Sequence, residues 1–378
     1  MRVLQLAAST ISLAKFALPL MQALQATGWE VEALGGMDGH EGTLTQAGVT
    51  VHPWHMGHSF NPLVIGKARR ELRSFLQTHH YDVIHTHCSF GGIVANPVAY
   101  PRTKQLLYTQ HGFFVHEGLS SLRRRVWLEI EKIGLRNAHK VICVSQAEKA
   151  LALSLGVGGE GKFFCIPGAG VKTSEFQLGE QERAGKRQRL RAEWGIGEET
   201  PVLLTVSRLT WDKGYREMIE AVSRLKQRKL PFKLIAAGSG KDEEPIRAAI
   251  QRADVADQFI LLGWRDDIID LYAAADVFVF ASHREGLPIS PIEAMASGLP
   301  VVASSLPGCR EELQDGEYGL LYPVSDATAL TEALQRVLQE NELRQSLAHK
   351  GPQRAREFDL RRVVDLQVGL YQQLAAGQ

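Results

Sequence analysis

The chain has 378 residues, 44% of them hydrophobic and 22% charged, and a formal net charge of +1. That length exceeds one ordinary core, so two globular domains are expected. The near-zero charge argues against nucleic acid or another polyanion as partner, and no apolar run reaches the ~18 residues of a membrane span.

In chain order, Val3–Ala7 opens as a buried strand rather than a signal peptide. Val31–Leu34, Val49–Val51, Val83–Ile84, Leu106–Tyr108 and Val141–Val144 also read as strands. Helical patterns at 13–27, 62–78 and 121–136 lie between them. This βαβ rhythm predicts a doubly wound parallel sheet. Residues 177–199 interrupt it with Arg183, Lys186, Arg187, Arg189 and Arg191. Val202–Val206, Leu234–Ala237, Phe259–Leu262, Val277–Phe280 and Val301–Ala303 resume it. The expected fold class is α/β, with two Rossmann-like domains at 1–175 and 197–355 joined by a linker at 176–196. A tail helix within 356–378 has the first domain as a candidate partner. Such sheets bind ligands at the carboxyl ends of their strands, so a cleft between the two is the expected active site.

Cys88, Cys143, Cys165 and Cys309 form no CxxC pair, and buried free thiols in a reducing cytoplasm are expected. His85 and His87 share a face of one strand. Without an evident third ligand, they do not make a metal site.

Several motifs follow strands. In EGLPISPIE (285–293), Glu285 and Glu293 flank a turn in which Pro288 and Pro291 delay the helix to about Ser290, with its body at Ile292–Ser297. Free N–H groups there suit phosphates, and carboxylates grip vicinal hydroxyls. SRLTWDKG (207–214) sets Arg208 and Lys213 five apart, with Gly214 opening a helix. That is either a diphosphate clamp or a solvated loop. Gly238 and Gly240 in AAGSGKDEE allow a tight turn or a close backbone approach. Trp264 and Arg265 in GWRDD are candidates to flank a base, and Asp266 to cap the next helix. TQHGFFVHEG (109–118) carries His111 and His116, suited to meeting a sugar hydroxyl or developing charge. In 119–136, Leu122, Val126, Ile130 and Ile133 form a helical stripe beside Trp127 and the cluster Arg123, Arg124, Arg125. The stripe either packs on the first domain or offers a basic face to anionic lipid or a lipid diphosphate.

SRLTWDKG, the GxG turn, GWRDD and the block ADVFVFASHREGLPISPIEAMASGLPVVAS (275–304) occur in the order seen in retaining glycosyltransferases of family 4, which this chain resembles over nearly its whole length. QHGFFVHEG resembles the subset that builds capsule, O-antigen and exopolysaccharide on polyprenyl-diphosphate lipids. The resemblance implies the GT-B fold and transfer from a nucleotide sugar, a UDP-sugar, to a glycan or lipid-linked acceptor, without metal or other cofactor. It further implies a cytoplasmic enzyme, peripheral on the inner face of a membrane. Arg208 and Lys213 would hold the diphosphate, Glu285 with Gly286 and Leu287 the donor sugar, Glu293 the ribose, and Trp264 and Arg265 the base. His111 would touch the sugar, and Ser9, Thr10 and Ser12 of the first loop would approach the diphosphate. Two departures stand out. Ser9-Thr10-Ile11-Ser12 replaces a common Gly-Gly pair, and Lys172 in GAGVK (168–172) replaces an acidic residue. The alternatives are a nucleotide-sugar 2-epimerase of the same fold and a non-catalytic sugar-nucleotide-binding assembly protein.

Overall fold

The computed structural model describes residues 1–56, 59–115 and 119–376. The chain divides into two compact units, one formed by Met1–Gly170 with Arg361–Gln378, the other by Val171–Leu360.

The first unit is built on strands β1 (Arg2–Leu6), β2 (Glu30–Gly35), β3 (Thr50–Pro53), β4 (Val83–His87), β5 (Gln105–Gln110), β6 (Lys140–Cys143) and β7 (Phe163–Cys165). They form a parallel sheet in the order β3-β2-β1-β4-β5-β6-β7. Alternate residues of its apolar strands feed opposite faces. Val3, Val83, Leu107 and Ile142 pack on one side; Leu4, Leu6, Ile84 and Leu106 pack on the other. The helix Leu360–Ala375 lays Val363, Leu370, Tyr371 and Leu374 onto the first of these faces.

The second unit has β8 (Val202–Val206), β9 (Lys233–Ala237), β10 (Phe259–Gly263), β11 (Val277–Phe280), β12 (Val301–Ser304) and β13 (Leu320–Tyr322). Their order is β10-β9-β8-β11-β12-β13, again parallel. In each sheet the winding reverses direction at one place, between β1 and β4 and between β8 and β11. Successive connections leave a crevice at the carboxyl ends there.

Three expectations need correction. The helix expected over 13–27 is two helices, Thr10–Phe16 and Leu18–Ala26, broken at Ala17. Pro19 in the first turn of the second helix cannot continue the first, because it lacks an N–H to donate. The linker expected at 176–196 is mostly helix, Glu180–Glu193, fastened to the second unit. Arg183 donates to Ser297 O at 2.7 Å, and Lys186 to Asp270 at 2.6 Å. Arg191, 1% exposed, meets the carbonyls of Gly197, Glu198 and Thr200 at 2.9–3.0 Å and Asp276 at 2.5 Å. The helix after Glu285 begins at Ile289, earlier than read, and ends at Ala296. Pro291 is tolerated in its first turn, where backbone N–H groups have no intrahelical acceptor.

None of the four cysteines is in a disulfide; Cys143 and Cys309 are buried, Cys88 and Cys165 half-buried. Among the described residues, no helix is long and apolar enough to cross a membrane, and no cluster of three His, Cys, Asp or Glu could hold a metal.

Candidate active site

In the second unit the crevice between β8 and β11 is formed by the loops that follow these strands. After β8, Ser207 N–H donates to Ala237 O at 3.0 Å and Leu209 N–H to Ser239 O at 3.1 Å. Leu209 is fully buried and anchors the loop, leaving Arg208 exposed beside it. Arg208 lies 3.6 Å from Asp212. The short helix Trp211–Lys213 then presents Lys213, whose ammonium is ion-paired with Glu285 from the loop after β11. Ser282 Oγ donates to the same Glu285 oxygen at 3.1 Å. The two loops are further joined by His283 N–H donating to Asp212 O at 2.9 Å.

Glycines set how closely these loops approach. Gly214 has φ +75°, and a Cβ on it would lie 2.0 Å from Ala281 O. Gly238 has φ +140°, and its Cβ would lie 2.0 Å from Ser207 O; one on Gly240 would lie 2.3 Å from Leu209 O. The GxG turn is thus pressed against the backbone of the loop that carries Arg208, the close-approach alternative of the two open in the sequence. Buried Gly286 is backed in the same way by Gly308, whose Cβ would lie 2.1 Å from Gly286 O. Leu287 beside it is half-buried.

Glu293 sits in the helix Ile289–Ala296, half-buried, and accepts from the Tyr272 hydroxyl at 2.8 Å. Burial raises its pKa, and the Tyr272 bond offsets this in part. Tyr272, fully buried, comes from a separate helix, Ile268–Ala274. No local spacing pointed to it, nor to Ser282.

Other candidates are differently engaged. Arg265 is bidentate to Asp267 at 2.7 and 2.6 Å and bonded to Glu193 at 2.9 Å. These bonds raise its pKa and hold the guanidinium against Asp267 and Glu193. Trp264 is 66% exposed and donates to Asp266 at 3.0 Å. Asp266 therefore does not cap the next helix; its N-cap position is Asp267.

In the first unit, β1 and β4 flank the crevice. The loop after β1 is largely self-satisfied. Ser9 and Ser12 hydroxyls bond each other at 2.8 Å, while Thr10 donates to Asp38 at 2.5 Å. Asp38 also accepts from Ile11 N–H at 3.2 Å. Burial opposes charge on Asp38, but these bonds hold it below the usual carboxylate range. Asp38 thus already accepts from both the Thr10 hydroxyl and the Ile11 N–H. His111 follows β5, stacked on Phe16 with ring centroids 5.1 Å apart and 3.4 Å from His87 Nδ1. His116 lies outside the described residues.

The helix Ser121–Arg136 buries Glu131, Gly134 and Leu135. A Cβ on Gly134 would come within 3.1 Å of Gly92, so the helix lies close on its neighbour. Most of the apolar stripe turns outward: Leu122 is 74% exposed, Val126 50% and Ile133 38%, while Ile130 is half-buried. Arg123, Arg124 and Arg125 are exposed beside it. Phe60 and Phe114 contact Trp127 with centroids 5.0 and 4.9 Å away, and Leu63 is exposed nearby in sequence.

Comparison with known proteins supplies the family. Residues 13–162 match the glycosyl transferase 4-like domain, and residues 186–354 match glycosyl transferases group 1. The chain is 28% identical over 377 residues, 98% of each protein, to the N,N'-diacetylbacillosaminyl-diphospho-undecaprenol alpha-1,3-N-acetylgalactosaminyltransferase of Campylobacter jejuni. It is 26% identical over 281 residues to the UDP-Gal:alpha-D-GlcNAc-diphosphoundecaprenol alpha-1,3-galactosyltransferase of Escherichia coli, covering 73% of this chain and 71% of that one. A sucrose-phosphate synthase from Thermosynechococcus elongatus shares the fold with a TM-score of 0.82 at 24% identity, with 100% of both chains covered. The chain belongs to glycosyltransferase family 4 and has its GT-B fold.

Proposed function

We propose that the chain is a retaining glycosyltransferase that moves a sugar from a UDP-sugar to a glycan carried on a polyprenyl diphosphate, at a membrane surface, in bacterial polysaccharide synthesis. The observation that carries this reading is Lys213 held against Glu285 at the ends of β8 and β11, with Arg208 exposed beside them. A departing nucleoside diphosphate develops negative charge, and preorganised cations stabilise it. Lys213 exchanges Glu285 for the donor diphosphate, and Arg208 adds a second, exposed cation without a divalent ion. Glu285 is then free to accept from hydroxyls of the donor sugar, and Glu293 accepts from the ribose. His111 meets the sugar.

In the reaction, the bond from the anomeric carbon to the phosphate oxygen breaks, and the acceptor oxygen bonds that carbon on the same face. The acceptor's proton passes to the departing phosphate, so no protein base is required. The names of the Campylobacter and Escherichia relatives support the lipid-diphosphate acceptor, and the latter name supports the UDP donor. The exposed stripe and arginines of helix Ser121–Arg136 support contact with an anionic bilayer.

The test is product analysis by NMR after incubation with α-linked UDP-sugars, with and without a polyprenyl-diphosphate-linked saccharide. An α-glycoside formed only with acceptor agrees with this reading. A β-glycoside excludes retention, and an epimerised UDP-sugar formed without acceptor excludes transfer as the activity.

A further inference from the structure

One buried carboxylate holds both ends of the segment that carries His111. Glu131, fully buried on helix Ser121–Arg136, accepts from Phe114 N–H at 3.0 Å and from the Gln110 amide nitrogen at 3.2 Å. Ser89, in the first turn of helix Cys88–Ala99, donates a third bond at 3.0 Å. Gln110 is the last residue of β5, and Phe114 lies three residues beyond His111. His111, Gly112 and Phe113 therefore run between two points tied to one side chain. The His111 ring itself rests on Phe16, with centroids 5.1 Å apart.

The direction of these bonds is fixed by their chemistry. A backbone N–H only donates, and an ionised carboxylate only accepts. The Gln110 amide nitrogen also donates to Gly112 O at 3.2 Å. Turning that amide over would set its oxygen against the carboxylate and the Gly112 carbonyl, both acceptors only. Phe114 lies outside any helix or strand, so its N–H has no ladder to join. An acid at 131 is costly. Burial raises its pKa to about 7, and what opposes the rise is these three hydrogen bonds, none of them from a cation. An apolar side chain would fill the same space at lower cost, and acids displaced in this way gather at functional sites.

We propose that Glu131 is a positioning residue for His111: by tying Gln110 and Phe114 to one carboxylate, it fixes the segment that presents His111 beyond the carboxyl end of β5. The consequence for catalysis rests on the reading that His111 meets the donor sugar.

The experiment uses the full chain at pH 8, labelled with 15N-phenylalanine and 15N-histidine, in wild type, Glu131→Gln and Glu131→Leu. Phe114 and His111 are assigned from Phe114→Leu and His111→Gln. In wild type the Phe114 amide is expected to be protected from hydrogen exchange. Glu131→Gln keeps an acceptor for it, whereas Glu131→Leu removes the acceptor, loses the protection and shifts the His111 signals. With the donor and acceptor found by product analysis, kcat should fall about 10- to 100-fold in Glu131→Leu, the scale of about 1 Å of misplacement at a reacting centre, and less in Glu131→Gln. Affinity for UDP, assigned to Arg208, Lys213 and Glu293, should stay at the wild-type value in both. A wild-type Phe114 amide that exchanges as fast as an open chain overturns the proposal, whether or not the variants fold. So do unchanged His111 signals in folded Glu131→Leu, and so does Glu131→Gln losing as much activity as Glu131→Leu. His111 signals that move while kcat stays unchanged leave Glu131 in its role and remove His111 from the sugar site.

Discussion

Lys213 and Glu285 form an ion pair that ties the loop after β8 to the loop after β11. Their side chains are 11% and 25% exposed, so the pair is sheltered yet open to a ligand on one side. An anionic ligand that draws Lys213 away leaves Glu285 to be compensated, a role that the hydroxyls of a sugar would fill on the function proposed above. On the function proposed above, binding of diphosphate and of sugar would be coupled through this one ion pair.

The geometry of that pair depends on two glycines. Gly214→Ala and Gly238→Ala each place a Cβ 2.0 Å from a carbonyl oxygen, at positive φ. Each is expected to cost at least about 1–3 kcal/mol in stability, measured by urea denaturation, and to lower turnover because the loops bearing Lys213 and Arg208 must shift. Wild-type stability in either variant contradicts the packing described.

Glu131 gives the first unit a pH dependence. Burial raises its pKa to about 7, although Phe114 N–H, Ser89 and Gln110 bond the carboxylate at 3.0–3.2 Å. Its folded value lies above the unfolded one. Its contribution to stability is therefore whole below the ordinary carboxylate range and is lost as pH rises through about 7. Glu131→Gln should flatten that decline, gaining up to about 3 kcal/mol at pH 8 relative to pH 4. Parallel stability–pH curves for the two proteins would show that Glu131 is not responsible.

Glu293 separates stability from binding. Burial disfavours its charge, so Glu293→Gln is expected to raise the thermal midpoint at pH 7 while keeping an acceptor for Tyr272. If Glu293 holds the ribose as proposed, the same change removes a charged acceptor and should weaken UDP binding about 10- to 100-fold. Calorimetric titration with UDP checks this, and unaltered affinity would take Glu293 out of the nucleotide site.

Helix Ser121–Arg136 predicts binding to vesicles rich in phosphatidylglycerol. Each arginine near such a surface contributes about 1 kcal/mol, so replacing Arg123, Arg124 and Arg125 by Gln should weaken sedimentation with vesicles about 10²-fold. Leu122→Ser with Val126→Ser should weaken it as well. Added salt should reduce wild-type binding, because the charges are screened over ~10 Å at 0.1 M. Binding that none of these alters would place the membrane contact elsewhere.

The alternation of apolar runs and helical patterns made both parallel sheets legible, along with the strand ends that carry Arg208, Glu285 and His111. β7 and β13 were not legible, because three residues at a sheet edge are too short to show a period. The charge density of 177–199 concealed a helix, since its arginines and lysine bond carbonyls and carboxylates far along the chain. Spacing could not reveal that Arg265 is bonded to Asp267 and Glu193, or Thr10 to Asp38. The outward turn of Leu122 and Val126 was equally hidden. The same stripe serves a buried or an exposed face, and the helix is oriented by the close approach of Gly134 to Gly92 and by the bonds of Glu131 to Ser89 and Gln110.

The central claim is that Lys213 and Arg208 stabilise the departing nucleoside diphosphate. The most direct measurement is the rate of acceptor-dependent UDP release in wild type, Lys213→Ala and Arg208→Ala, at saturating UDP-sugar and in excess chelator. Turnover in each variant should fall by ~10²–10³, with chelator leaving the wild-type rate unchanged. Either variant releasing UDP at the wild-type rate, or a wild-type enzyme stopped by chelator, would contradict the account.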